Sequence, residues 1–221
     1  RAWRYLARGV SGFAVPVYLL DTDVMENQPW DRTLTDLLYG GDDHYRLCQE
    51  VVLGFGGLRL LRALGYRDIP RFHLNEGHAA LLVLALLEEK LPARADGETV
   101  PADVIEAVRD QCVFTTHTPI PAGHDQFSPD LATRVLGTKR CEWLKVCLPD
   151  HALNMTELAL RGSRFINGVA MKHGEVSHSL FPGYPIHSIT NGVHAVAWAA
   201  PSFQALFDRY LPDWRRDQLS L

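Results

Sequence analysis

The sequence lacks any large excess of basic residues. Its 221 residues include 22 Lys and Arg against 26 Asp and Glu, which gives a formal net charge of −4. Nucleic acids and anionic membrane surfaces attract proteins with dense positive charge. We therefore expect neither as a partner, and the 47% hydrophobic and 22% charged composition is that of an ordinary globular protein.

Long apolar runs and a leader segment are also missing. The longest apolar run, residues 79–87, is well short of the roughly 18 residues that indicate a membrane span. No charged-then-apolar leader follows Arg1, so we expect no secretion signal. Because Arg1 stands where an initiator Met would be, we also expect that the chain was cut from a longer protein.

Cysteine is scarce and shows no paired spacing. The four cysteines, Cys48, Cys112, Cys141 and Cys147, form no Cys-x-x-Cys motif and lie mostly in apolar surroundings. We interpret them as free thiols in a reducing compartment, which predicts a cytoplasmic location.

Short apolar runs alternate with segments of helical periodicity. We predict strands over the apolar runs at 13–20, 71–75, 112–116, 165–171 and 185–190. We predict helices at 45–64, 77–91, 101–108, 154–161, 173–180 and 201–210, and one that begins at Pro129 after a Ser128 cap. The alternation favours an α/β fold with a parallel sheet covered by helices on both faces, and we treat residues 1–221 as one domain.

Polar side chains follow two of the predicted strands. Asn75, Glu76 and His78 end the strand at 71–75, and His117 ends the strand at 112–116. Because open α/β sheets bind ligands at the carboxyl ends of their strands, we expect these residues to line one crevice. Amide, carboxylate and imidazole groups together suit a polyhydroxylated ligand such as a sugar. His124 and Asp125 follow on the same loop and are further candidates for the crevice.

Other interpretations of these residues stay open. A histidine at a strand edge is often structural, which applies to His73 and His78, and His117 could close a turn before Pro119. His73 and His78, with Glu76 between them, also suggest a metal site. Zinc-binding helices present histidines at i and i+4, which a strand-to-helix turn does not, so we expect no metal.

Two further groups in the chain favour structural readings. His173 and Glu175 lie near a predicted helix start, and we expect structural roles for them. The glycines within 54–57 lack a preceding strand, so they favour close packing over a phosphate-binding loop.

Six sequence blocks in a fixed order resemble the α-glucan (glycogen and starch) phosphorylases, most closely the bacterial and archaeal branch. The blocks are residues 38–42, 46–50, 73–78, 115–119 with 122–125, 167–169 with 173–177, and 189–194. The resemblance implies a Rossmann-like sheet that forms part of the N-terminal half of a two-domain GT-B glycosyltransferase fold. The C-terminal domain, with the lysine that binds pyridoxal phosphate, would then lie outside this chain.

The resemblance also implies an activity and roles for residues. Phosphate would attack the terminal glucosyl unit of an α-1,4-glucan and release α-glucose 1-phosphate with retention. His117 matches the family histidine that contacts the glucosyl unit, and Asn75, Glu76 and His78 match the block that supports it. Residues 191–194 match the block where family members cross into the second domain. The proton would come from the substrate phosphate, so we expect the isolated chain to be inactive.

Partners and alternatives follow from the same resemblance. The implied partners are maltooligosaccharide or another α-1,4-glucan, phosphate, the missing C-terminal domain and further copies of the chain. Apolar surface around Trp198 and Phe203 would favour self-association. Two other functions remain open: a glucan-binding module without turnover, and a retaining nucleotide-sugar transferase of the same GT-B architecture.

Overall fold

A computed structural model describes residues 1–9, 11–91, 100–120, 123–147, 152–211 and 213–217, the side chains of Val146 and Cys147 excepted. The chain forms two compact units. The larger comprises Arg1 and Leu20–Thr190, and the smaller comprises Ala2–Leu19 and Asn191–Leu221. All six residues predicted to line the crevice belong to the larger unit. The predicted loop at 92–99 lies outside the described residues.

The described secondary structure comprises short strands and helices. The strands are β1 (Ala2–Arg8), β2 (Ala14–Leu20), β3 (Phe72–Asn75), β4 (Cys112–Thr115), β5 (Gln126–Phe127), β6 (Leu153–Asn154), β7 (Phe165–Gly168) and β8 (Ile186–Ser188). The helices are α1 (Asp43–Val51), α2 (Gly57–Ala63), α3 (Leu81–Lys90), α4 (Ala102–Arg109), α5 (Pro129–Leu136), α6 (Thr138–Cys147), α7 (Met155–Arg161), α8 (Met171–Leu180), α9 (Ala195–Trp198) and α10 (Pro201–Tyr210).

A four-stranded parallel sheet forms the centre of the larger unit, in the order β3-β4-β7-β8. With helices packed around it, this sheet confirms the predicted Rossmann-like α/β fold. Its carboxyl edge carries a polar row across three strands. The His73 ring bonds the Thr115 hydroxyl at 2.7 Å, and that hydroxyl donates to Asn167 Oδ1 at 2.9 Å. His73 is therefore tied into the sheet, as the structural interpretation predicted.

One continuous helical stretch runs from α1 through a π-helical turn, Val52–Gly56, into α2. Asp42 caps its start, because its side chain accepts from the Tyr45 N–H at 2.9 Å. Gly54 in the π turn lies against α3, where a Cβ at Gly54 would stand 2.8 Å from the backbone of Leu81 and Leu82. Gly54 thus serves close packing, as predicted for this run of glycines, whereas Gly57 has open space around its Cβ position.

Helix α3 is the centre of the apolar core. Leu81 and Val83 to Leu87 are buried on every side of the helix, so it shows no solvent-facing polar stripe. Two other helices begin at side-chain caps, of which the one at Ser128 was predicted. Ser128 accepts from the Leu131 N–H before α5, and Asn154 accepts from the Glu157 N–H before α7.

The structure corrects several expectations about strands and helices. The strand predicted at 13–20 exists as β2 but pairs with β1, which the sequence pattern did not predict, in a separate two-stranded sheet. The strand predicted at 165–171 ends at Gly168, and Met171 begins α8. The short pair β5 and β6 and the helices α6 and α9 were also missed.

The thiols that the structure describes are free. Cys112 is buried, and burial raises the pKa of its thiol to about 12. Cys48 and Cys141 are partly buried and also free, and burial raises the pKa of Cys48. The thiols of Cys48 and Cys112 therefore stay protonated at neutral pH. No helix in the described part of the chain is long and apolar enough to cross a membrane.

The smaller unit contains β1, β2, α9 and α10. Trp214 is its fully buried residue, with its ring edge against Phe207 and its Nε1–H donating to Asp208 at 2.9 Å. Trp198 and Phe203 lie on its surface, 81% and 56% exposed. Single apolar residues on a surface are ordinary, but large ones grouped on a small unit indicate an association surface.

The close approach at Gly54 predicts a large difference between two glycines of one helical stretch. We expect Gly54→Ala to destabilise the chain by about 1–3 kcal/mol, because the new methyl group overlaps the α3 backbone. Gly57→Ala is the matched control, since no atom lies within 4 Å of its Cβ position. It should stabilise by about 0.5–1 kcal/mol. Urea unfolding of both variants measures this, and equal effects would contradict the packing argument.

The exposed aromatic residues predict that the isolated 221-residue chain self-associates. We expect Trp198→Ser combined with Phe203→Ser to shift the chain toward monomer, because both side chains lose apolar surface. Light scattering over a concentration series measures the mass. A wild-type chain that stays monomeric at high concentration would contradict this expectation.

Candidate functional site

A cleft of about 600 Å³ lies at the carboxyl ends of β3 and β4. Its lining consists of Tyr39, Gly40, Gly41, Asp42, Asp43, Arg46, Asn75, Glu76, His78, His117, Thr118, Gly123 and Asp125. Five of the six residues predicted from the strand ends are in this lining. Tyr39 and Arg46 are lining residues that the strand-end argument missed, because they precede and begin a helix instead of ending a strand.

Glu76 ties the ends of the two strands together. Its side chain is buried, and its Oε2 accepts from the His117 N–H at 2.7 Å and from the Thr118 hydroxyl at 2.9 Å. Its Oε1 accepts from the Thr116 hydroxyl at 3.3 Å. A buried carboxylate needs such donors to offset its lost hydration. The carboxylate therefore fixes the path of residues 116–118 across the floor of the cleft.

Backbone strain concentrates at the cleft. Among the described residues, only Tyr39 and Glu76 have a positive φ without being glycine, at 56° and 65°. Both line the cleft. Such conformations cost about 1–3 kcal/mol and persist where surrounding contacts over-determine them, most often at binding or catalytic sites. The strain supports this cleft as the functional site.

His117 and Asn75 meet at the open mouth of the cleft. His117 Nε2 lies 2.8 Å from Asn75 Oδ1, and both side chains are exposed. An amide oxygen only accepts, so Nε2 carries the proton and Nδ1 is the lone-pair nitrogen of the neutral ring. The pair thus offers a ligand one imidazole acceptor and the two amide donors of Asn75.

Arg46 links three parts of the cleft wall. Its Nη2 lies 2.9 Å from Asp125 Oδ2 and 2.9 Å from His78 Nδ1, and its guanidinium carbon lies 4.7 Å from the centre of the Tyr39 ring. Tyr39 in turn contacts the His78 ring edge to face at 5.6 Å. Because arginine has no acceptor, His78 Nδ1 accepts from it, and neutral His78 carries its proton on Nε2.

A second carboxyl group lies behind Arg46. Glu50 is one helical turn further along α1, fully buried, with Oε1 3.4 Å from Arg46 Nε. Burial, and then the neighbouring Asp125 carboxylate, raise the pKa of Glu50 to about 9. Contact with His78 lowers the pKa of Asp125 well below its usual range, with further help from Glu50 and Arg46. At neutral pH the proton therefore sits on Glu50 and the charge on Asp125.

Glu50, His78 and Asp125 offer three metal-ligand atoms within 4.8 Å of one another. The guanidinium of Arg46 lies among them, in contact with both His78 and Asp125. A metal cation there would meet a fixed positive charge at close range. We therefore interpret these three side chains as neighbours of the Arg46 guanidinium and not as ligands of a metal ion.

Other histidines singled out in the sequence lie away from the lining. The buried His124 ring bonds the Thr156 hydroxyl at 2.8 Å and packs against Phe181, and burial lowers its pKa. His173 Nδ1 lies 3.3 Å from the Ser177 hydroxyl within α8. Their environments are those of structural residues.

The last two groups singled out in the sequence also make local contacts. Glu175 pairs with Lys172 at 2.7 Å within α8. His194, in the smaller unit, caps α9 through the Ala197 N–H.

A second hollow, of about 320 Å³, lies between α3, α4 and α7. Its lining includes the apolar Val83, Leu87 and Leu158. Of its charged side chains, Glu106 pairs with Arg109, and Arg161 pairs with Glu157 outside the lining. None of the residues predicted for the site lines it. The polar cleft is therefore the better candidate.

The bonding of Glu76 predicts that an uncharged isostere is costly. In Glu76→Gln the amino group would face either the Gly77 N–H or the His117 N–H, because each oxygen accepts from one of them. We expect a loss of about 1–3 kcal/mol of unfolding free energy. The matched control is Glu175→Gln on the exposed surface of α8, which should change stability by less than about 0.5 kcal/mol. Urea unfolding at pH 7 separates the two, and equal stabilities would contradict the assignment.

Comparison with known proteins gives this cleft a family context. No family model matches the chain. It is 37% identical over 225 residues to a maltodextrin phosphorylase of Thermococcus litoralis, which covers 94% of this chain and 26% of the relative. It is 38% identical over 223 residues to a glycogen phosphorylase of Mycobacterium tuberculosis, covering 87% of this chain and 25% of the relative.

A glycogen phosphorylase of Aquifex aeolicus is 32% identical over 212 residues, covering 88% of this chain and 30% of the relative. The chain thus spans about a quarter to a third of the length of these curated relatives. The resemblance carried by the six sequence blocks is confirmed. Over most of its length, the chain matches a segment of glycogen and maltodextrin phosphorylases.

Proposed function

We propose that the chain forms the glucan-binding side of the active site of an α-1,4-glucan phosphorylase. The observation that carries this proposal is the cleft at the ends of β3 and β4. There Asn75, His78 and His117 line the same cleft, and the relatives of the chain are phosphorylases. The relatives' names supply the substrate class, and the polar, nearly cation-free lining fits a neutral sugar.

The proposed reaction transfers a glucosyl unit to phosphate. A phosphate oxygen bonds to the anomeric carbon of the terminal unit, the bond from that carbon to the glucan oxygen breaks, and that oxygen receives a proton. The transition state has oxocarbenium character, so hydrogen bonds to the sugar hydroxyls that strengthen there lower the barrier. We assign His117 to contact the terminal glucosyl unit, with Asn75 orienting its ring.

Two carboxyl groups at the cleft are poorly placed to protonate the leaving oxygen. Both oxygens of Glu76 are engaged in hydrogen bonds with residues 116–118. Glu50 is protonated at neutral pH, but it is 1% exposed and lies behind Arg46. This supports the substrate phosphate as the proton source, and it supports an isolated chain that does not turn over.

Pyridoxal phosphate, which the family resemblance implies, does not fit this cleft. A Schiff base requires a lysine, and the described lining contains none. Its one arginine already contacts Asp125 and His78. We propose that the complete protein holds the cofactor elsewhere. A cytoplasmic location and phosphate as second substrate belong to the same proposal.

A glucan-binding module without turnover is the second candidate. The absence of a lysine from the described lining favours it for the chain by itself. Binding would still use Asn75 and His117, so the two candidates differ in whether a product forms. A nucleotide-sugar transferase differs from both in its donor.

We expect His117→Ala to lower kcat/KM for phosphorolysis by roughly ten- to hundredfold in the complete protein that contains this chain. The loss corresponds to one or two hydrogen bonds made to the sugar in the transition state. The control is His178→Ala, an exposed histidine on α8 outside the lining. It should stay within about twofold of wild type. The assay follows glucose 1-phosphate from maltoheptaose and phosphate, with and without pyridoxal phosphate.

The possible outcomes separate the candidates. Product that requires pyridoxal phosphate and falls in the His117 variant alone supports the phosphorylase. No product, with maltoheptaose still bound in calorimetry, favours the binding module. Glucosyl transfer from a nucleotide sugar and not from glucose 1-phosphate would overturn the phosphorylase in favour of the transferase.

A further inference from the structure

Glu50 is a buried titratable group that the proposed reaction does not use. It lies on α1 one turn after Arg46, is 1% exposed, and has the Asp125 carboxylate as a hydrogen-bonding neighbour. Its nearest cation is Arg46 Nε, 3.4 Å from Oε1. An apolar side chain of similar size would avoid the cost of burying a carboxyl group. A carboxyl group that is buried directly behind the cleft despite this free-energy cost suggests a role in the cleft.

The contacts of Arg46 suggest what that role is. Arg46 reaches forward to Asp125 and His78 at 2.9 Å, and backward to Glu50 at 3.4 Å. The guanidinium is therefore held between the cleft wall and a carboxyl group on its own helix. Arg46 donates to His78 Nδ1 as long as its contacts with Asp125 and His78 are stronger than its contact with Glu50.

We propose that Glu50 is a positioning residue that acts through Arg46 to hold the His78 imidazole in the orientation that faces a glucan. This inference rests on the proposed function only for the identity of the ligand as a glucan. The orientation of His78 and its control by Glu50 are properties of the chain itself.

The charges around Glu50 define when this arrangement holds. On α1 the group that faces it is Arg46, and Asp125 and His78 face it from the loop before β5 and from the turn before α3. The charged residues of α5, which packs against α1, are Asp130 and Arg134, and both are exposed. A neutral Glu50 leaves Asp125 as the anion that attracts Arg46. An ionised Glu50 adds a competing anion behind Arg46 and draws it away from His78.

The protonation of Glu50 sets the pH at which the change occurs. Its pKa of about 9 lies above the ordinary value of 4.5. Between these values the folded chain holds a proton that the unfolded chain has lost, so stability falls as pH rises through this window. Glu50→Gln keeps the neutral shape and removes this dependence. The variant should therefore gain in Tm over wild type progressively from pH 5 to pH 9.

The direct test is ¹⁵N NMR of the histidine rings of the 221-residue chain from pH 6 to pH 10.5. In wild type we expect His78 to carry its proton on Nε2 up to about pH 9 and to become a mixture of tautomers above it. In Glu50→Gln the Nε2 tautomer should persist across the range. Glu175→Gln, exposed on α8, is the matched control and should follow wild type.

A kinetic test uses the complete protein and maltoheptaose. At pH 7 the Glu50→Gln variant should match wild type within about twofold in KM, because both residues are neutral. At pH 10 about a tenth of Glu50 keeps its proton, so the wild-type KM should exceed that of the variant by up to about tenfold. The values of kcat should differ less, because the effect acts through binding geometry.

The outcomes distinguish this inference from the proposed function. Absence of phosphorolysis in every variant defeats the proposed function, while the NMR series still tests Glu50. A His78 tautomer that changes identically with pH in wild type and Glu50→Gln overturns the inference. So does a Tm difference between them that does not depend on pH.

Discussion

The carboxylate of Glu76 is the interaction on which the cleft depends. It is buried and charged, so it is stable only while the His117 N–H and the hydroxyls of Thr116 and Thr118 face it. Those donors belong to the segment after β4, whereas Glu76 follows β3. One side chain thus fixes the relative position of two strand ends. The positive φ at Glu76 is a local cost that these hydrogen bonds offset.

Arg46 plays the corresponding part at the other wall. Its planar guanidinium donates to Asp125 through Nε and Nη2 and to His78 through Nη2, while its carbon lies 4.7 Å from the centre of the Tyr39 ring. A lysine ammonium is a point charge and cannot make this planar contact. The wall therefore depends on the shape of the cation as well as on its charge. Glu50 behind it is compatible with this arrangement because it is neutral.

Local sequence signals predicted the elements that begin at a side-chain cap or that show a strong hydrophobic periodicity. The Ser128 cap and the helix at 201–210 are examples, and both are as predicted. Pairing between strands is not a local property, so β2 was predicted as a strand but its partner β1 was not. The segment of β1 has charged residues only at Arg4 and Arg8, so it lacks the period-2 alternation of a half-buried strand, and it is mostly exposed.

The strand-end rule found most of the site for a physical reason, because side chains at the carboxyl edge of a parallel sheet converge. It failed for neighbouring residues of one loop, where Asp125 points into the cleft and His124 into the core. Arg46 was part of a recognised block, yet nothing in its spacing indicated that a helix start closes the cleft.

The charge of the cleft lining suits one of the two substrates of a phosphorylase, the neutral glucan, better than the other, phosphate. Its buried carboxylate, Glu76, is satisfied by fixed donors, and Asp125 is paired with Arg46. Among the described lining residues Arg46 is the one Lys or Arg side chain, and it is already engaged. Phosphate binding calls for cations or helix N-termini aimed at the anion. A lining of amide, imidazole and carboxylate groups instead suits hydroxyls. This supports the proposal that the cleft binds the sugar, and under that proposal groups outside this lining would bind the phosphate.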